Sequence, residues 1–308
     1  MKKIFKEIDK YLKNPKNKFS IFLFHGVIKK NPYKVRNYNN KHIKISSFHR
    51  IIKYLSKNGN KISIDDIVYN LEKNKKFSKN CFLVSFDDGF ENNYVNACPI
   101  LDKYKIPTVF YFSTDFVENN SISWIDKLEY GLEKTKKKKI FIDQFNNSFE
   151  INTSYQKIKV LNLIRNKIKR DLKVDLNIFT NKIFSQLELS APVTLNSEID
   201  KKISWAQLKK MKSNDLFSFG GHSHNHHSLV YSEKRNKMEF EIKKSIKLFK
   251  EKADLVLKHY SYPEGQEIDF NNNIIKVLKK NKIISCPTAI KGINKSNQNL
   301  FKMFRVQL

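Results

Sequence analysis

The chain has 308 residues, enough to bury a large core as one barrel-sized domain or two small ones. Its 59 Lys and Arg against 30 Asp and Glu give a formal charge of +29, which invites a nucleic-acid reading. Lysine is spread along the whole length beside Asn and Ile, however, and no helix-turn-helix, finger or RNA-binding aromatic motif accompanies it, so nucleic acid is not an expected partner. Solvated lysines are the first reading of that charge, and peripheral contact with an anionic membrane surface or acidic glycans is the stronger alternative. No run reaches transmembrane length and no signal-peptide core follows the Lys-rich start. Cys81, Cys98 and Cys286 form neither a disulfide framework nor a thiolate motif, and a cytoplasmic location is expected, up to the inner face of the membrane.

In chain order, Ser20 to Val27 reads as a buried strand that stops at His25 and Gly26. Phe48, Ile51, Ile52 and Leu55 recur at helical spacing until Asn58-Gly59, and Ser63 with Asp66 opens a second helix as a capping box. Cys81 to Phe90 is the central strand-like run. Helical spacing returns at Tyr94, Ala97 and Leu101, and Pro107 to Phe112 is the next strand. Such alternation predicts parallel strands with covering helices. From Ser121 to Ile203 the pattern turns mainly helical, through Trp124 to Leu132 and Ile158 to Leu172, as an insertion capping or lining one side of a site. Trp124 and Asp126 could touch a sugar ring there, although core packing suits Trp124 better. Leu216 to Phe219 is strand-like, Met238, Ile242, Ile246 and Phe249 make a helix face, and Leu255 to Tyr260, Ile283 to Cys286 and Phe304 to Leu308 complete about seven strand-helix units.

Two stretches carry chemistry. The central strand runs directly into Asp87-Asp88-Gly89, delivering two carboxylates to the edge of a sheet where α/β folds place their sites; a plain Asp-Gly turn is the bland alternative. Gly221-His222-Ser223-His224-Asn225-His226-His227 holds four of the eight histidines. Two imidazoles four residues apart, joined by a distant carboxylate, suit Zn²⁺ or another divalent transition metal with open positions, the alternative being a chance surface cluster.

Ser85-Phe86-Asp87-Asp88-Gly89 and His222-Ser223-His224-Asn225-His226 resemble the first two motifs of the polysaccharide deacetylases, the NodB-homology domain of carbohydrate esterase family four. Tyr260-Ser261-Tyr262-Pro263-Glu264-Gly265 resembles the loop that walls the family's groove, and all three stand in the family's order. The resemblance runs from about Phe22 to the C-terminus, weakly over Ser121 to Ile203. It implies one α/β domain over residues 1–308, a distorted (β/α)7 barrel with a helical insertion at 121–203. It further implies that Asp88, His222 and His226 bind one divalent metal, Zn²⁺ first with Co, Ni or Mn as alternatives, and that Asp87 is the base. Glu264 matches the backbone N–H donor to the oxyanion, and Tyr262 and Pro263 the substrate groove. The late Leu-x-His motif is missing, whereas Phe24-His25 matches a rearranged branch acting on bacterial surface polysaccharides, so His25 takes the acid role. The base-orienting Arg of many members is Ser261 here, the usual Tyr is Glu264, and His224 and His227 match no ligand position. The implied activity is metal-dependent deacetylation of N-acetylated sugars in a surface polysaccharide, lipopolysaccharide or precursor. Hydrolysis of another non-peptide amide, or non-catalytic binding of glycan or nucleic acid, are the alternatives.

Overall fold

The computed structural model describes residues 2–13 and 15–308. The chain forms two compact units, one of Met1–Lys29, His42–Asn120 and Lys201–Leu308, the other of Lys30–Lys41 and Ser121–Asp200.

The first unit is a curled, mostly parallel sheet covered by helices, with Asn294–Lys295 pairing antiparallel to Lys18–Phe24. Its strands run His259–Tyr260, Phe217–Gly221, Thr108–Phe112, Cys81–Phe86 and Lys18–Phe24 across the sheet, and Val306–Gln307 adds to Lys18–Phe24 on the far side. Every residue of Cys81–Phe86 and Thr108–Phe112 is buried, as expected of strands covered on both faces. The register aligns Phe24 with Phe86 and Phe86 with Phe110, and Phe110 with Phe219. Their rings lie 5.5, 5.2 and 6.4 Å apart, centroid to centroid, in a stacked row. Successive strand residues face opposite ways, so the residue after Phe86 points away from this row.

The ring of strands closes irregularly. Tyr260 N–H donates to Ser285 O, Cys286 N–H to Leu300 O, Thr288 N–H to Met303 O and Arg305 N–H to Ile290 O. The expected strands Leu255 to Tyr260 and Ile283 to Cys286 therefore shrink to His259–Tyr260 and a single bridge between His259 and Ser285. Isolated hydrogen bonds replace a ladder there, and apolar runs alone do not reveal that. The expected strand through His25 likewise breaks at that residue, giving Lys18–Phe24 and Gly26–Ile28.

The helices follow their apolar faces. Ile45–Asn58 buries Phe48, Ile51, Ile52 and Leu55, and Ser63 with Asp66 caps Ile64–Glu72 reciprocally. The helix expected around Tyr94 begins as a π-helical turn, Asn93–Ala97, a form frequent near functional sites. All three cysteines are free and buried, and burial pushes their thiol pKa values up. No helix among the described residues is long and apolar enough to cross a membrane.

The second unit packs helices Trp124–Lys134, Ser154–Lys167 and Leu176–Gln186 with a hairpin of Lys139–Ile142 and Asn147–Glu150. Trp124 meets Phe179 at 6.4 Å, and Asp126 is paired to Lys41 at 3.1 Å. The Lys30–Lys41 segment is tied in by carboxylates one turn apart: Glu133 accepts from the N–H groups of Val35 and Arg36, and Glu129 from Asn37 N–H and Arg165. A buried Arg36–Asp200 pair completes this attachment.

Candidate active site

The Cys81–Phe86 strand ends where the chain must turn sharply. Asp88 (φ +76°) and Gly89 (φ +95°) both lie in the left-handed region, and a Cβ on Gly89 would stand 2.7 Å from the Phe112 ring. Glycine meets both demands at once. The turn separates the two carboxylates: Asp87 continues into the barrel, while Asp88 faces the histidine loop.

That loop is held from several sides. His222 N–H donates to Phe112 O, Ser113 Oγ donates to His222 O, and Ser223 N–H donates to Tyr260 Oη at 2.9 Å. Tyr260 can lie so close because a Cβ on Gly221 would be 2.4 Å from its ring. Glu241, buried on helix Met238–Ala253, accepts from His224 N–H and Asn225 N–H at 2.9 and 2.7 Å and from Asn225 Nδ2 at 2.7 Å. These bonds stabilise a path with positive φ at Ser223 and His226, unusual for residues with a side chain.

Asp88, His222 and His226 are thereby brought together, with one ligand atom from each within 4.8 Å of the others. Asp88 Oδ1 is 2.9 Å from His226 Nε2 and 3.6 Å from His222 Nε2. His222 Nδ1 lies 2.9 Å from Ser261 O, and since a carbonyl only accepts, Nδ1 carries the proton and Nε2 presents its lone pair. Burial, the largest influence, drives the His222 pKa down to about 4 against the pull of Asp87 and Asp88, so this imidazole is neutral at pH 7. A neutral, oriented imidazole, a second imidazole and a carboxylate form a donor set suited to a divalent transition metal. Phe116 stacks on the His226 ring at 5.3 Å, and the Lys202 ammonium lies 3.7 Å from the Phe90 ring centroid and 4.7 Å from that of Phe116.

Asp87 is held by a partner that sequence reasoning missed. Arg305, fully buried, donates Nη1 and Nη2 to Asp87 Oδ1 and Oδ2, both at 2.7 Å, and further bonds to Ser261 Oγ at 2.9 Å and Thr288 O at 2.6 Å. Burial would raise the Asp87 pKa, but the charges of Arg305, His222 and His25 and the Arg305 hydrogen bonds outweigh it and leave it lowered. The small Ser261 side chain leaves room for a guanidinium arriving from the C-terminal strand. An arginine between the apolar residues Phe304 and Val306, in a run expected to form a strand, was the available signal. Glu241 gave none, being one acid among several on its helix.

The other expected residues fall as follows. His25 is half-buried at the end of the first strand, near enough to Asp87 for its charge to act there. Glu264 and Gly265 both have positive φ, and Gly265 N–H donates to Pro263 O in a tight loop. Pro263 is buried, and Tyr262 is a correction: it is fully buried, stacks on Phe270 at 4.6 Å and donates its hydroxyl to Phe301 O, so it supports the loop from beneath and lines no open groove. His224 places Nδ1 2.9 Å from Thr114 Oγ1, outside the ligand group.

Because Glu241 orders the histidine loop, Glu241→Ala should weaken divalent-metal affinity about 10- to 100-fold. Zn²⁺ titration against a competing chelator measures this, and wild-type affinity would remove Glu241 from the positioning shell.

A family model described as polysaccharide deacetylase matches residues 74–284, more than half of the chain. A poly-beta-1,6-N-acetyl-D-glucosamine N-deacetylase of Staphylococcus aureus is 33% identical over 95 residues, which is 30% of this chain and 31% of the relative's own length. Among solved structures, the Streptococcus pyogenes deacetylase PplD in complex with acetate aligns with TM-score 0.61 and 16% identity, covering 94% of this chain and 92% of that one. IcaB from Ammonifex degensii aligns with TM-score 0.62 and 15% identity, covering 95% and 92%. At such identities the likeness of these two structures is one of fold.

Proposed function

Because this chain belongs to the polysaccharide deacetylase family, we propose that it removes acetyl groups from N-acetylated sugars, hydrolysing carbon–nitrogen bonds outside peptides. The observation that carries this reading is the buried Asp87–Arg305 pair set beside the Asp88, His222 and His226 group. The substrate we favour is a surface glycan or its precursor, with β-1,6-linked N-acetylglucosamine as the first candidate from the name of the S. aureus relative. On this reading residues 1–308 act as one catalytic domain carrying the 121–203 insertion.

An acetamide is a poor electrophile with a poor leaving group, so its hydrolysis needs an activated water, a stabilised oxyanion and a proton for the amine. A divalent ion held by Asp88, His222 and His226, Zn²⁺ in the first instance, would supply Lewis-acid polarisation of the acetyl carbonyl and an acidified water. Asp87 stays ionised at neutral pH and accepts the water proton at Oδ2, the oxygen 3.9 Å from His222 Nε2. Arg305 fixes both carboxylate oxygens, so the base meets the water in one orientation. The backbone N–H of Glu264 would donate to the developing oxyanion. His25 would protonate the departing amine from its place beside Asp87.

His25→Ala should accordingly bind metal as wild type does while kcat falls by about 10²- to 10⁴-fold; an undiminished kcat would reassign the acid. The function itself is tested by acetate release from β-1,6-linked N-acetylglucosamine oligomers, nucleotide-sugars and small acetamides with Zn²⁺, Co²⁺, Ni²⁺ or Mn²⁺ supplied in turn. Release from the acetylated sugars supports the reading, release from small amides alone moves it to another amidohydrolase, and none from any substrate overturns it. A cytoplasmic location belongs to the same proposal, supported by three free, buried thiols; cell fractionation decides it.

A further inference from the structure

His25 stands where the first strand breaks, and the chain is anchored on both sides of it. On one side Phe24 O accepts from Asp87 N–H at 3.1 Å, tying the preceding residue to the base. On the other, Gly26–Ile28 leaves the main sheet and pairs with His42–Lys44. Val27 is gripped there by two buried carboxamides: Asn92 Oδ1 accepts from its N–H at 3.0 Å, and Asn96 Nδ2 donates to its carbonyl at 2.7 Å. Asn92 precedes the π-helical turn Asn93–Ala97 and Asn96 lies within it. Together they supply the bonds that a neighbouring strand would give a buried peptide group.

His42, also buried, completes the bracket. It is the partner of Gly26 in the pairing, and its imidazole fills the space a side chain at 26 would take, since a Cβ there would stand 1.8 Å from His42 Nδ1. Asn92 Oδ1 faces an N–H, which orients the amide, so Nδ2 donates to His42 Nδ1 at 3.3 Å. The His42 ring meets Phe90 edge to face at 4.5 Å between centroids, and Phe90 directly follows the Asp87-Asp88-Gly89 turn. One frame therefore holds the strand break that carries His25 and the turn that carries both acids.

We infer that Asn92, Asn96 and His42 are positioning residues for His25, fixing the backbone beside it so that its imidazole meets the departing amine; this rests on the acid role proposed above. All three lie outside the Asp88, His222 and His226 group, so they bear on proton delivery and not on the metal. Misplacing a reacting group by about 1 Å can cost 10²-fold in rate.

The test makes Asn92→Ala and Asn96→Ala separately in the full chain, so that one remains if the other fails to fold, and combines each with His25→Ala. On β-1,6-linked N-acetylglucosamine oligomers each single variant should lower kcat about 10- to 100-fold, with KM and Zn²⁺ affinity as in wild type. In the His25→Ala background neither should lower kcat further, because the group being positioned is gone. p-Nitrophenyl acetate gives a second readout: its phenolate departs without a proton, so its hydrolysis should keep the wild-type rate. An undiminished kcat, or equal fractional losses with and without His25 or on both substrates, overturns the positioning role, while acetate release by wild type spares the proposed function. If wild type releases no acetate, that function falls and imidazole NMR of the metal-free chain decides the bracket. His25 signals displaced in either variant, with those of His222 and His226 unchanged, uphold its hold on His25; any other pattern overturns it.

Discussion

Asp88→Ala removes bound metal and acetate release together. Three side chains make up the ligand group, and Asp88 Oδ1 is the atom both imidazoles face, at 2.9 and 3.6 Å. Loss even of a group supporting a ligand lowers metal affinity by about 10- to 100-fold, so loss of a ligand should exceed that range. His222→Ala should behave the same way. Asp87→Asn separates the two roles: it keeps the metal and lowers kcat by about 10²- to 10⁴-fold, because an amide cannot take the proton. Metal content by atomic emission, read beside acetate release, checks all three. Full metal content in Asp88→Ala, or a near-normal rate in Asp87→Asn, would contradict the assignment of ligand and base.

Arg305→Met lowers both stability and turnover. The pair is fully desolvated, and removing one member of such a pair leaves an uncompensated charge at a cost of about 3–5 kcal/mol. The pH dependence follows from the direction of the Asp87 shift. In wild type the folded carboxyl titrates below its ordinary value of 3.8, so its stabilisation is present above that pH and is lost as pH falls through the folded pKa. Without Arg305 the leading remaining influence is burial, which raises the pKa, so protonation relieves the variant. The stability gap between wild type and Arg305→Met should therefore narrow as pH falls through and below the ordinary carboxyl value. Urea denaturation at pH 7 and in mild acid measures it, and a gap that is constant with pH would show that Arg305 acts through packing alone. Adding Asp87→Asn to Arg305→Met should recover part of the stability and none of the activity. Arg305→Lys should retain the charge, lose the two-pronged geometry and fall between wild type and Arg305→Met.

Local rules made much of this molecule legible before folding was considered. The buried run Cys81–Phe86 ending in paired carboxylates, the reciprocal cap of Ser63 and Asp66, and the helix face of Phe48, Ile51, Ile52 and Leu55 depend on neighbours within a few residues. The histidine loop was equally visible, since its two imidazoles lie four residues apart in the chain. The sequence by itself thus determined the α/β class, the strand that carries the acids and the residues that could meet an ion. Tertiary structure alone decided what holds them: Arg305 is 218 positions from Asp87, and Asp200 is 164 from Arg36 in the pair that attaches Lys30–Lys41 to the second unit. A charged residue in a short, mainly apolar run has no local partner to announce its role, and only the closure of the barrel brings the Val306–Gln307 strand beside the first and the guanidinium of Arg305, just before it, onto the carboxylate. The same closure took Tyr262 out of the groove, because its ring finds Phe270 and its hydroxyl Phe301 O only once the chain has come round.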